Sequence, residues 1–190
     1  MQNSERDGKT LVPIEIEHKY LIARPDPAVL LSQPGVRVLS IEQVYLRSEP
    51  GVTRRVRRTS ENGEVHYYRT EKRRISTMSA YEDESEISLP EYSAAVRESD
   101  PKRRIIRKTR YKIPFGGFLC EIDVYPFWKD RAILEIEVPS EGTNPPVPDF
   151  VTVLKDVTSD RRYKNAALAK GLPDEGKPSY SRGKKKYYKK

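Results

Sequence analysis

Glu15-Ile16-Glu17-His18-Lys19 puts a charged group at every second position. Extended backbone sends successive side chains to opposite faces, so Glu15, Glu17 and Lys19 share one face of a strand. The pattern returns at Glu84-Ser85-Glu86-Ile87, Glu121-Ile122-Asp123-Val124 and Glu135-Ile136-Glu137-Val138. Basic stretches alternate in the same way at Arg55-Val56-Arg57, Thr70-Glu71-Lys72 and Lys108-Thr109-Arg110. Any one of these segments reads as the solvated face of a sheet. Collected on a shared face, so many carboxylates and cations repel and must be desolvated together. Such a face becomes reasonable if it holds a polyanion and the metal ions that accompany it.

The 190 residues suffice for one domain with a core plus tails. Hydrophobic residues make up 36% and charged residues 34%, so the chain either carries polar ends or uses charge inside the fold. Most of the net charge of +8 is terminal, because residues 172–190 hold seven Lys and Arg against two acids. Basicity therefore says little about the folded surface. No apolar run of about 18 residues is present to span a membrane. Residues 1–10 lack the apolar segment of a secretion signal and read as a flexible lead. Cys120 is the single cysteine, which excludes an intrachain disulfide and fits a reducing cytoplasm.

Strands are expected over residues 11–22, 36–48, 53–59, 64–74, 82–89, 103–113, 118–125 and 132–139. Asn62-Gly63 and Gly116-Gly117 mark hairpin turns. Short helices are expected at 27–32, where Pro27 sits in a first turn, and at 90–99, 148–155 and 163–170. Residues 173–190 read as a disordered basic tail. Eight strands with few helices suggest an antiparallel sheet closed on itself, mainly β in an α+β chain. If the charged faces point inward, helices must cover the apolar outer faces.

The carboxylates Glu15, Glu17, Glu84, Glu121, Asp123, Glu135 and Glu137 are hard oxygen donors suited to Mg²⁺ or Mn²⁺. One cysteine and two histidines, His18 and His66, do not make a usual zinc site. Lys19, Arg55, Arg57, Lys72, Lys108 and Arg110 offer six cations to phosphate oxygens. A phosphate chain with bound divalent metal satisfies both sets. Its hydrolysis needs no side-chain nucleophile, since metal-activated water can attack in line while cations stabilise the transferred phosphoryl group. No Gly-rich phosphate loop, nucleophile elbow or His-Glu-x-x-His motif competes. Arg54 and Arg58 have the opposite parity to Arg55 and Arg57 and are expected outside. Cys120 is expected on the apolar side.

In order along the chain, the motifs resemble the CYTH domain, or triphosphate tunnel metalloenzyme, family. The ExExK form of residues 15–19 is followed by Gln43-Val44-Tyr45-Leu46, Arg55-x-Arg57, Thr70-Glu71-Lys72, Glu82-x-Glu84-x-Glu86, Lys108-Thr109-Arg110-Tyr111, Glu121-Ile122-Asp123 and Glu135-Ile136-Glu137. It closes with Val157-Thr158-Ser159-Asp160-Arg161-Arg162-Tyr163-x-Asn165. The resemblance implies an eight-stranded antiparallel tunnel over residues 11–172 with short helices outside. It implies a metal-dependent triphosphatase acting on inorganic triphosphate or a related organic triphosphate. Within it, Glu15, Glu17, Glu135 and Glu137 resemble a first metal site. Asp123, with Glu84 or Glu121, would hold a second metal. Lys19, Lys108 and Arg110 would act in catalysis and, with Arg55, Arg57 and Lys72, grip phosphate.

Two features depart from bacterial relatives. Ala80 stands where they usually carry arginine, so that contact is either missing or supplied by Arg73 or Arg74. Phe127-Trp128-Lys129-Asp130 replaces a glycine-containing turn, with Trp128 expected as a loop anchor. The alternatives are an adenylate cyclase and a non-catalytic module that binds triphosphate or RNA 5′ ends. The tail, with tyrosines among lysines, resembles a nucleic-acid-contacting segment. A cytoplasmic monomer or homodimer is expected.

Overall fold

A computed structural model describes residues 14–174. The expectations for the N-terminal lead and for nearly all of the basic tail fall outside the described residues. In chain order the elements are β1 (Ile14–Ala23), α1 (Pro27–Leu31), β2 (Arg37–Tyr45), β3 (Val52–Glu61), β4 (Glu64–Arg74) and β5 (Ser79–Ile87). They continue with α2 (Leu89–Val96), β6 (Ile106–Phe115), β7 (Phe118–Val124), β8 (Arg131–Glu137), β9 (Val153–Asp156) and α3 (Asn165–Leu168).

The sheet runs β5-β4-β3-β2-β6-β7-β8-β1-β9, and β5 also pairs with β1. That last pairing closes an eight-stranded antiparallel barrel, with Ile14, Glu15 and Ile16 opposite Tyr81, Ala80 and Ser79. Closure removes the exposed edges that an open sheet would present. Local chemistry fixes the register. Asn62 (φ 51°) and Gly63 (φ 88°) form the two-residue turn between β3 and β4, and left-handed backbone at both positions is what a right-twisted hairpin requires. Gly116 (φ 58°) serves the turn between β6 and β7. A Cβ there would lie 2.4 Å from Pro146 Cγ, so this turn also admits the covering loop.

β5 leaves part of the β1 edge unpaired, and β9 takes it, with Tyr20 opposite Asp156 and Leu21 opposite Lys155. This corrects the helix expected at 148–155. Val151, Thr152 and Val153 are β-branched and lose side-chain freedom in a helix, and a neighbouring strand edge offers their backbone an alternative. The helix expected at 163–170 is shorter, a 3₁₀ turn over Arg161–Tyr163 followed by α3. α2 begins with a reciprocal capping box between Ser88 and Glu91.

The usual polarity of a small barrel is inverted. On the outer face of β6, β7 and β8, Ile113, Cys120, Ile122, Leu134 and Ile136 pack with Leu30 of α1 and with Phe150 and Val151 of the loop before β9. On the outer face of β2 and β3, Val44 and Val56 pack with Tyr92 and Ala95 of α2. Cys120 is therefore a buried apolar-side residue, as expected. The lumen changes character along its length. At one end its inward positions are Leu21, Tyr45, Ile106, Tyr125 and Ile133, which pack with Val157, Tyr163, Leu168 and Ala169. Val157 N donates to Lys19 O at 2.9 Å, and Arg104 N donates to Ala169 O at 2.8 Å. The segment after β9 thus caps that end. Trp128 is an anchor within the same cluster.

Leu168 is fully buried in the cap, whereas Leu154 on β9 is 53% exposed. Leu168→Ala is expected to lower unfolding free energy by about 2–5 kcal/mol in urea titration. Leu154→Ala is expected to change it by no more than about 0.5 kcal/mol.

Candidate active site

Strand alternation delivers the charged side chains to one cavity of about 470 Å³. β1 contributes Glu15, Glu17 and Lys19, β3 contributes Arg55 and Arg57, and β4 contributes Lys72. β5 adds Glu84, β6 adds Lys108 and Arg110, β7 adds Glu121, and β8 adds Glu135 and Glu137. Every site residue expected from the sequence lines this cavity except Asp123. Strand order sets β3 across from β8 and β6 across from β5. The arginines of β3 therefore face the carboxylates of β8, and the cations of β6 face those of β5.

Each lumen cation leans on a carboxylate. Lys19 Nζ lies 2.8 Å from Glu135 and 3.1 Å from Glu17. Arg55 reaches Glu82 at 3.3 Å, and Arg57 reaches Glu84 at 2.6 Å. Thr70 Oγ1 donates to the other Glu84 oxygen at 2.6 Å. Lys72 bridges Glu15 and Glu82. Arg55 and Arg57 each keep a buried Nε–H that meets no acceptor among the described residues. A buried donor without a partner costs free energy, so these two groups point to an anionic ligand.

Asp123 is placed differently from the other carboxylates. It is fully buried and does not line the cavity. Its oxygens accept from Arg110 Nε at 2.6 Å and Nη2 at 2.7 Å, and from Lys108 Nζ. In this geometry Asp123 anchors Lys108 and Arg110. Burial and the adjacent Arg110 push the Lys108 ammonium down to about 8, against the pull of Asp123. Burial also opposes the charge of Lys19, but Glu135 and Glu17 outweigh it and raise its pKa.

Glu137 is the opposite case. It has no ion-pair or hydrogen-bond partner among those described, and burial followed by the charges of Glu15, Glu121, Glu17 and Glu82 pushes it up to about 7. No three acidic, histidine or cysteine side chains form a ready-made metal cage among the described residues, because most carboxylates are turned onto lysine and arginine. The donor set nonetheless fits a hard divalent cation. It consists of carboxylates alone, and they crowd around one member that no cation among the described residues neutralises.

Strand parity also reaches residues that the expected site omitted. Glu82 lies two positions before Glu84. Lys112 lies two after Arg110 and pairs with Glu121 at 2.9 Å. Lys164, Asn165 and Ala166 enter from the capping segment, which carries no strand periodicity and was marked only by the family motif that ends at Asn165. Asn165 lines the cavity, whereas Tyr163 belongs to the cap. Ala80 also lines it. Arg73 pairs with Glu71 instead, and neither Arg73 nor Arg74 lines the cavity in its place.

Two outcomes follow from these contacts. Asp123→Ala, which strands two buried cations, is expected to cost about 3–5 kcal/mol in denaturant unfolding. In metal-free buffer, Glu137→Gln is expected to raise Tm above pH 7. The native carboxyl titrates at about 7 against a usual 4.5, so its ionisation penalises the fold progressively between those values. The gain should vanish below about pH 4.5, where the carboxyl is protonated in both states.

No family model matches the chain. It is 31% identical over 157 residues to an inorganic triphosphatase from Acetivibrio thermocellus, covering 82% of this chain and 93% of that one. Among solved structures it resembles the inorganic triphosphatase NE1496, with a TM-score of 0.51 and 27% identity over 84% of this chain and 97% of that one. A conserved protein from Pyrococcus furiosus shares the fold, with a TM-score of 0.51 and 22% identity over 67% of this chain and 80% of that one. With its closed tunnel and ordered charges, the chain belongs to the CYTH, or triphosphate tunnel metalloenzyme, family and is a triphosphatase.

Proposed function

We propose that this enzyme hydrolyses a phosphoanhydride bond of inorganic triphosphate in the presence of Mg²⁺ or Mn²⁺. The observation that carries this reading is the pair of buried, unpartnered Nε–H donors on Arg55 and Arg57, set across the barrel from the carboxylates of β8. One wall offers donors to phosphate oxygens, and the other offers oxygens to metal.

Lys19, Arg55, Arg57, Lys72, Lys108 and Arg110 bind the phosphate chain and orient it along the lumen. Arginine forks fix its register, and the lysines add compact charge. Lys108 and Arg110, held by Asp123, answer the charge that develops on the transferred phosphoryl group. Glu15, Glu17, Glu135 and Glu137, with Glu84 and Glu121 nearby, would hold the cation. When bound, that cation neutralises phosphate charge and lowers the pKa of water. In the reaction, the water oxygen bonds to the terminal phosphorus as the bridging P–O bond breaks. The bond's electron pair leaves on diphosphate, and a water proton passes to the released phosphate.

The cavity lining contains one aromatic side chain, Tyr45, which is buried in the apolar cluster with the Arg103 guanidinium over its ring at 5.0 Å from the centroid. Nothing there offers a free platform for adenine, which counts against a cyclase. The surplus of carboxylates counts against a simple anion-binding module. No described helix is long and apolar enough to cross a membrane. A cytoplasmic location is part of the proposal.

Orthophosphate release from tripolyphosphate is expected with Mg²⁺ or Mn²⁺ and is expected to stop on chelation. Glu17→Gln and Lys108→Ala should each reduce kcat/KM on the order of 10²-fold. Folded protein that releases no phosphate with either metal contradicts the reading.

A further inference from the structure

Lys102, Arg103 and Arg104 lie just before β6 and run alongside the end of the capping segment. Arg104 N donates to Ala169 O at 2.8 Å, and Arg103 Nη1 donates to Ala166 O at 3.1 Å. Arg103 turns inward, with its guanidinium 5.0 Å from the centroid of the Tyr45 ring. Its neighbours Lys102 and Arg104 are exposed, and so is Lys170 on the capping segment. Lys170 acts electrostatically on Asp100, but Arg103 Nε already holds that carboxylate at 3.1 Å. Neither Lys102 nor Arg104 forms an ion pair among the described residues. The cap therefore has two sides. Asn165 and Ala166 line the cavity, whereas Lys170 joins Lys102 and Arg104 on the outside.

The sequence that continues from this face matches its charge. Leu172, two positions after Lys170, is exposed. Residues 177–190 then hold seven Lys and Arg and no acid, with Tyr180, Tyr187 and Tyr188 among them. Cations attract a phosphate backbone and release its counterions. Tyrosine rings stack on bases that are not paired. The cations alone suit any polyanion, and the tyrosines select one that exposes bases.

We propose that Lys102, Arg104 and Lys170, together with residues 177–190, bind single-stranded nucleic acid on the outside of the cap. The bound strand lies away from the phosphate cavity and uses none of its residues. The proposal goes beyond the triphosphate reading and does not rest on it.

The test is fluorescence anisotropy of a 5′-hydroxyl oligonucleotide of about 20 nucleotides, as RNA and as DNA, with the full chain in EDTA. Binding of either strand is expected, falling with salt along a log–log slope of about 0.7 per phosphate neutralised. The combined substitutions Lys102→Gln, Arg104→Gln and Lys170→Gln should reduce that slope by about 2 and weaken binding on the order of tenfold. Tyr180→Ala, Tyr187→Ala and Tyr188→Ala together should weaken binding on the order of tenfold and leave the slope unchanged. Both variants should hydrolyse tripolyphosphate at the wild-type rate. Absence of binding to either strand overturns the proposal, as does wild-type affinity in either variant. Equal affinity for long-chain polyphosphate of matched charge also overturns it, because that is attraction without base contact. Protein that binds the oligonucleotide but releases no phosphate from tripolyphosphate rejects the triphosphate reading alone.

Discussion

Charges turned into a barrel must be answered by other charges before any ligand is bound, and the rest of this structure depends on how that is done. Asp123, at no measurable exposure, is shared between Lys108 and Arg110, and Arg110 extends the network to Glu121 and Glu135. Lys19 then joins Glu135 to Glu17. Interior ion pairs add little net stability, because desolvation consumes most of the Coulombic gain. Stability must therefore come from elsewhere. It comes from the outer faces of the strands, covered by α1, α2 and the loop before β9, and from the apolar cap at one end.

That division of labour explains why the site is poised for an anion and a metal together. The network is neutral enough to fold but incomplete at two places. Among the described residues, Arg55 and Arg57 keep donors without acceptors, and Glu137 keeps a carboxyl without a cation. A bound phosphate chain would answer the first defect, and a divalent cation would answer the second. Each ligand also relieves the repulsion that the other leaves, so the two sets of residues belong in one lumen.

Much of this was legible in the sequence because a strand has a period of two. Once Glu15, Glu17 and Lys19 share a face, the same parity places Arg55 with Arg57 and Lys108 with Arg110. It also sends Arg54 and Cys120 to the other side. What remained illegible has physical causes. Parity cannot separate a lumen-lining carboxylate from one sealed behind its neighbours, and Asp123 is the sealed one. β9 forms because β5 leaves part of the β1 edge free, a fact of tertiary pairing that local propensity does not contain. Lys164 and Ala166 arrive on an irregular segment with no period to read, where only the family motif marked the neighbouring Asn165.

The central claim is that a condensed phosphate lies between the cationic and acidic walls with a divalent ion beside it. A crystal structure with tripolyphosphate and Mn²⁺, using the anomalous signal of manganese, tests it most directly. The account predicts phosphate oxygens within hydrogen-bond reach of Arg55, Arg57, Lys108 and Arg110, and a manganese peak at Glu15, Glu17 and Glu137. Phosphate on the outer wall, or manganese away from those carboxylates, would contradict it.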